Sequence, residues 1–292
     1  MKPIGIITDS HCGISISEAE KLGIKVLPMP LYIDDECYIE EISITRDEFF
    51  EKLKTCEKVA TSQASPAQVM DIWNEALTEY ETILCMPMSS GLSGACDSMK
   101  LYAMEDEYKE KVVVVDNGRI SSPMHRTILD AIELINEGYS AQEIKNILEN
   151  EKDKMSIYIA VETLEYLKKG GRISGAAATI GTILDIKPIL KLHTGLLQEH
   201  DKCRGSKKAR KMMIEQIKQD IETKFSDYSY EDIHILAATS ADEETTEKWI
   251  EQIKEAFPGK EVLCDNLSLG ISCHTGEGAL GIGVSCKPKK NI

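Results

Sequence analysis

The chain has 292 residues and a mass of 32.5 kDa, enough for two modest domains that each bury a core. Hydrophobic residues make up 42% and charged residues 28%, a globular balance that argues against disorder and against a membrane protein; the longest nearly apolar run, 176–184, is too short to span a bilayer. A formal net charge of −15 repels the phosphate backbone of nucleic acid, and nine cysteines with no C-x-x-C pair speak against a disulfide framework or a zinc site.

PIGIITD at 3–9 reads as a short buried strand ending in Asp9 and Ser10. It lacks the long apolar core and cleavage site of a signal peptide, so a cytoplasmic location is expected. Residues 24–42 hold two apolar stretches around Asp34 and Asp35, an extended hairpin or strand with an acidic turn. Thr45, with Glu48 three residues on, predicts a helix start. A second helix is predicted over 65–80, with Ser65 as cap, Pro66 in the first position and Val69, Ile72, Trp73, Ala76 and Leu77 on one face. Strand 82–88, a serine-glycine turn, helix 92–104, strand 111–117 and helices through 119–150 follow. This alternation predicts a parallel sheet covered on both faces by helices.

A second domain is expected to begin at Lys154, dividing the chain into 1–153 and 154–292. It reads as strand 155–161, a short helix 164–170 stopped by Gly170 and Gly171, a small-residue helix 176–184, and a hairpin 186–200 turning at Gly195. Helix 206–223, strand 233–240, helix 242–256 and strand 261–267 complete it. Hairpins mixed with crossovers predict a mixed sheet.

In an open parallel sheet, loops at the carboxyl ends of strands form the binding crevice, and the following helices aim their N–H groups into it. Thr61, Ser62 and Ser65 are placed on one such loop, and Ser89, Ser90 and Ser93 on another. Hydroxyl donors beside helix N-termini suit a carboxylate or phosphate, and the glycines let a ligand approach the backbone closely. Capping serines and turn glycines explain the same residues without a ligand. The G-x-x-x-x-G-K-[ST] pattern is absent, which argues against that type of nucleotide site. A serine hydrolase acting on acyl esters is the alternative: GLSGA at 91–95 nearly matches the nucleophile elbow, with Ser93 as nucleophile and Asp185 or Asp265 followed by His274 as acid and base. In the later half, Arg172 follows a Gly-Gly turn and His274 precedes a glycine-rich loop, an anion or partner contact and a proton carrier respectively, or simply a surface arginine and a satisfied histidine. The basic stretch 202–211 runs against the acidic total.

TSQASP, SSGLSG, LEYLKKGGRISG, LDIKPIL and HTGEGALG, in this order across 61–281, closely resemble the DegV family of bacterial fatty-acid-binding proteins, and TDS at 8–10 fits that family's opening. The resemblance implies two α/β domains, an N-terminal three-layer α/β/α unit on a parallel sheet and a C-terminal two-layer unit on a mixed sheet. It implies a long-chain fatty acid as ligand, with the tail in an apolar tunnel and the carboxylate held at Thr61 and Ser93, beside Ser62 and Gly94, and with no cofactor, metal or catalytic residue. It further implies that the acid is presented to a separate fatty acid kinase, which makes an acyl phosphate for phospholipid synthesis. Arg172, Arg204 and His274 would then lie on the partner and phosphate side, as would the basic stretch, and neither nucleic acid nor stable membrane insertion is expected. Three positions depart from the family's pattern: Ala64 stands where proline is usual, Ala95 where threonine is common, and Glu277 replaces a proline, adding a negative charge close to His274.

Overall fold

The computed structural model describes residues 2–173, 186–193 and 196–290. They group into two units, Met1–Lys152 with Ser268–Gly270 and Pro288–Ile292, and Asp153–Leu267 with Ile271–Lys287.

The first unit runs β1 (Lys2–Asp9), α1 (Ile16–Leu22), β2 (Lys25–Leu27), β3 (Pro30–Ile33), β4 (Glu36–Ile39), α2 (Arg46–Leu53), β5 (Val59–Thr61), α3 (Pro66–Leu77), β6 (Tyr80–Met86), α4 (Ala95–Tyr102), β7 (Val112–Val114), α5 (Ser121–Asn136) and α6 (Ala141–Asn150). Strands β2-β1-β6-β7 form one sheet, parallel throughout. Alternation along its strands sends Ile6, Leu84 and Met86 to one side, against Met124, Ile128 and Ile144 of α5 and α6. Ile7, Ile83 and Cys85 go to the other, against Val69 and Trp73 of α3 and Met99 of α4. Both faces are therefore covered, which makes the three layers expected from the alternating pattern.

Local chemistry sets the helix starts. Thr45 with Glu48, Ser65 with Gln68 and Ser140 with Glu143 each form a reciprocal capping box, worth about 1 kcal/mol apiece. The helix predicted over 65–80 stops at Leu77 because Tyr80 already opens β6. Its ring lies over β1, where a Cβ on Gly5 would come within 2.6 Å of it. The expected acidic hairpin is present as β3 and β4, with Asp34 at φ 55° and its Oδ1 accepting from the N–H groups of Glu57 and Lys58 at 3.0 Å. Strand β5 joins this hairpin in a small antiparallel sheet, order β4-β3-β5. Thr61 thus ends an antiparallel strand, which corrects its placement on a loop of the parallel sheet: three residues were too short a run to stand out as a strand.

The second unit runs β8 (Met155–Ala160), α7 (Glu165–Gly170), β9 (Ile186–His193), β10 (Leu196–Arg204), α8 (Ser206–Thr223), β11 (Ile233–Thr239), α9 (Glu243–Ala256), β12 (Val262–Asn266), α10 (Leu269–Thr275, whose first two residues group with the first unit) and β13 (Leu280–Cys286). Its sheet has the order β10-β9-β8-β13-β11-β12, with β11 and β12 parallel and the other pairs antiparallel, the mixed sheet expected. One face packs Tyr158, Ile235, Ile282 and Val284 against Met213 and Ile217 of α8 and Trp249 and Ile253 of α9. Gly195 and the helix predicted over 176–184 lie outside the described residues. Among the described residues no helix is long and apolar enough to cross a membrane.

Candidate functional site

The parallel sheet of the first unit reverses its winding between β1 and β6, since β2 lies on one side of β1 while β6 and β7 extend on the other. In such sheets the ligand crevice forms at the carboxyl ends of the strands flanking the reversal. Here those ends are Asp9–His11 after β1 and 87–94 after β6, the loop that carries the serines and glycines.

Two carboxylates, absent from the sequence-based candidates, shape that loop. Asp9 is fully buried; its Oδ1 accepts from the His11 N–H at 3.0 Å and its Oδ2 from the Met88 N–H at 2.7 Å. The His11 ring stands over it, Nδ1 at 3.3 Å. From the other flank, Asp116 after β7 accepts from Ser90 Oγ at 2.7 Å and from Lys100 Nζ at 3.1 Å, and its own N–H donates to Glu149 at 2.9 Å. Burial alone would raise the Asp116 carboxyl, but the Ser90 hydroxyl and the Lys100 ammonium outweigh it and hold the group below the usual carboxylate range. Ser89 N–H donates to the Arg119 carbonyl at 2.9 Å. The loop is therefore held from β1, β7 and the 117–120 turn together. The signal for both acids was present in the sequence, an aspartate directly closing an apolar strand, IIT then Asp9 and VVVV then Asp116.

Within the loop, Ser89 and Ser90 are engaged with the protein: the Ser89 Oγ accepts from Gly91 N–H at 3.3 Å and Ser90 is bound to Asp116. Ser93 is half-buried and precedes α4, with its Oγ accepting from the Ala95 N–H at 3.2 Å. Gly94 is exposed at the helix start; its φ of −69° suits any residue, and an added Cβ would find Gln63 Oε1 at 3.9 Å. Gln63 belongs to the other candidate loop, and Ser98 Oγ of α4 lies 3.3 Å from the same amide oxygen. The structure thus brings the T-S-Q segment against the start of α4. Thr61 is half-buried at the end of β5; Ser62 is exposed, its N–H donating to the Pro30 carbonyl and its Oγ to the Gln63 carbonyl, both at 3.1 Å. The departures Ala64 and Ala95 are both buried in the core shared by α3 and α4, where small side chains fit beneath the two loops.

In the second unit, α7 ends with Gly171 in the left-handed conformation at φ 68°, and Arg172 turns back so that its guanidinium donates to the Gly170 carbonyl. His274, half-buried in the last turn of α10, packs on Gly170, where a Cβ would lie 2.2 Å from its Nδ1. Arg172 and His274 therefore meet at Gly170. Arg204 is exposed at the end of β10, in register with Ile186, and makes no ion pair among the described residues. Glu277 is exposed. Of the proposed acids, Asp265 is buried in β12 and Asp185 lies outside the described residues; among the described residues Ser93 has no histidine as a hydrogen-bond partner. No group of three His, Cys, Asp or Glu side chains among the described residues is arranged to hold a metal.

The fold is that of the two-domain α/β DegV proteins. A DegV family protein from Thermus thermophilus, solved for its fatty acid binding, matches with TM-score 0.87 and 31% identity over 97% of this chain and 99% of its own. DegV from Bacillus subtilis, a fatty acid binding protein, matches with TM-score 0.84 and 28% identity over 98% and 100%. A DegV domain-containing protein of Clostridium perfringens is 32% identical over 288 residues, 97% of each chain. The model of the DegV family, described as uncharacterised proteins, matches residues 3–287. The chain belongs to the DegV family.

Proposed function

We propose that this protein is a cytoplasmic carrier of a long-chain fatty acid, not itself a catalyst, that presents the acid's carboxylate to a separate fatty acid kinase for acyl phosphate formation and phospholipid synthesis. The first unit supplies the carboxylate loops, with Thr61, Ser62, Ser93 and Gly94 at the ligand. The observation that carries this reading is the meeting of the T-S-Q segment with Gly94 and Ser98 at Gln63, beside the crevice of a switched parallel sheet. Solved relatives at 28–31% identity bind fatty acids on the same fold.

The chemistry suits the ligand. Neutral hydroxyls beside the start of α4 satisfy a carboxylate without a fixed counter-charge, leaving its oxygen free to take a phosphoryl group. Each methylene moved from water into an apolar channel contributes about 0.8 kcal/mol, so the tail supplies most of the affinity. On this reading Arg172 and His274, which both touch Gly170, and the exposed Arg204 are the residues that would meet the kinase and the incoming phosphate.

Mass spectrometry of the purified protein, native and then after solvent extraction, is the test. A stoichiometric long-chain acid released intact is the expected result; an empty protein that takes up no added fatty acid refutes the reading. Thr61→Val and Ser93→Ala should each weaken binding by about 1–3 kcal/mol. Acyl phosphate should form from ATP only when a kinase subunit is added, and a fluorophosphonate probe should leave Ser93 unlabelled, since labelling there would mark a hydrolase.

A further inference from the structure

The second unit holds a charged cluster that the proposed function does not use. Asp220 of α8 is 2% exposed, and the hydroxyl of Tyr158, whose ring is fully buried on β8, donates to its Oδ2 at 2.7 Å. Its Oδ1 takes the Lys224 ammonium at 2.7 Å and the Gln216 amide at 3.3 Å. Burial alone would raise the Asp220 carboxyl, but Lys224, Ser156 and Tyr158 outweigh it and hold the group below the usual carboxylate range. One ionised carboxylate thus balances one ammonium. A second ammonium stands beside them with no carboxylate of its own. Lys191 of β9 is in register with Tyr158 of β8 and Gln198 of β10, and its Nζ lies 5.8 Å from the centroid of the Tyr158 ring. It is half-buried and makes no ion pair among the described residues. The other titratable groups of the cluster are Tyr158 from β8, His200 from β10, whose ring packs on Tyr158 with centroids 4.9 Å apart, and Asp220 and Lys224 from α8. Burial first, and then the Lys224 ammonium, lower the Lys191 amine below its ordinary value, with Asp220 opposing them.

An amine partly withdrawn from water and crowded by another cation is the arrangement that makes a lysine nucleophilic, because only the neutral form attacks. The neighbouring cation is itself accessible: Lys224 is exposed and gives two of its three N–H donors to Asp220 and to Ser156 Oγ, the second at 3.3 Å, which leaves one for an anion. A nucleophile beside such a donor suits an electrophile with an anionic leaving group. We propose that Lys191 is an acylation site whose donor is an acyl phosphate, with Lys224 holding the donor's phosphate. The neutral Nζ attacks the carbonyl carbon of the mixed anhydride, the C–N bond forms as the C–O bond to phosphate breaks, inorganic phosphate leaves with the electron pair, and the nitrogen gives a proton to solvent. The resulting amide is uncharged, so acylation removes the ammonium that lacks a carboxylate and leaves the Asp220–Lys224 pair balanced. An acyl phosphate is the product expected of the kinase reaction proposed above, but the site stands on the second unit's own residues, so its failure leaves the carrier reading untouched.

The test treats the full chain with acetyl phosphate and follows acetylation of each lysine by peptide-mapping mass spectrometry. Lys21 and Lys254, exposed and without an ion pair among the described residues, serve as internal references. At about pH 8, Lys191 should be acetylated about tenfold faster than either reference, and its rate should level off at a lower pH than theirs. A Lys191 rate equal to or below the references overturns the proposal, and this comparison needs no variant to fold. Lys224→Gln removes both the neighbouring charge and the phosphate contact, so the Lys191 rate should fall to that of the references and its pH profile should move up, with the reference rates unchanged. A folded Lys224→Gln protein that acetylates Lys191 as fast as wild type overturns the role given to Lys224 and with it the paired site.

Discussion

Asp9 offers a test in which two electrostatic expectations have opposite signs. Its carboxylate closes β1 at the crevice end of the sheet, and a like charge disfavours a bound anion, by about 4 kcal/mol at about 4 Å and an effective dielectric of about 20 and by less as the separation grows. Charge alone therefore predicts that Asp9→Asn tightens fatty acid binding. The structure predicts the reverse, because the two oxygens of Asp9 hold the N–H groups of His11 and Met88, and the second of these bonds ties down the loop that leads to Ser93. Asparagine retains one acceptor and turns its amide N–H₂ toward the other donor, so one buried N–H loses its partner at a cost of about 1–3 kcal/mol. Alanine strands both, for about 2–6 kcal/mol, a large share of the 5–15 kcal/mol that typically holds a domain folded. Urea unfolding measures the stability and a fluorescent fatty acid displacement assay the affinity. Asp9→Asn should lower both, with affinity falling about tenfold, and Asp9→Ala should lower stability further. An Asp9→Asn protein that binds fatty acid more tightly and unfolds no earlier would show that charge, not loop positioning, is what Asp9 contributes.

Burial pushes the Glu40 carboxyl up to about 7, against the opposing Leu269 N–H bond at 2.9 Å and the nearby His11. Because the folded state keeps this proton while the unfolded chain has released it, stability should fall as pH rises from about 4.5 to about 7 and then level off, a loss of at most about 3 kcal/mol. Thermal melts of Glu40→Gln should lack that slope and lie above wild type at pH 8; a parallel slope in the variant would assign it elsewhere. Burial also lifts the Cys85 and Cys96 thiols to about 12, whereas Cys37 is exposed, so a thiol reagent at pH 8 should modify Cys37 in the native protein and reach Cys85 and Cys96 only after unfolding. Rapid native labelling of Cys85 would contradict the packing of β6. Gly5→Ala places a Cβ 2.6 Å from the Tyr80 ring and should destabilise by about 1–3 kcal/mol in urea melts, relieved when Tyr80→Ala is added.

Much of this protein is written locally. The boxes at Thr45, Ser65 and Ser140 start α2, α3 and α6 because the capping oxygen and its donor lie three residues apart, a relation the chain carries wherever it is placed. The alternation of strands and helices likewise determined a parallel first sheet, and the mixture of hairpins and crossovers a mixed second one, since strand direction follows from connection length. The ordered motifs from Thr61 to Gly281 pointed to the family.

What the tertiary structure alone decided is which chain segments stand side by side. Asp9 and Asp116 are 107 positions apart in the numbering, and they grip one loop only because β1 and β7 flank β6 in the sheet. Thr61 was placed on the wrong kind of sheet because β5 is three residues long and gains its identity from pairing with β3. β13 escaped notice for a related reason: glycines at alternate positions look like loop punctuation in one dimension, and become a strand only when β8 and β11 supply hydrogen bonds on both sides. Short-range patterns in the sequence encode where elements start and which faces are apolar, because those depend on neighbours within a few residues. The site depends on register and strand order, which arise when the two cores close and every buried N–H must find its acceptor.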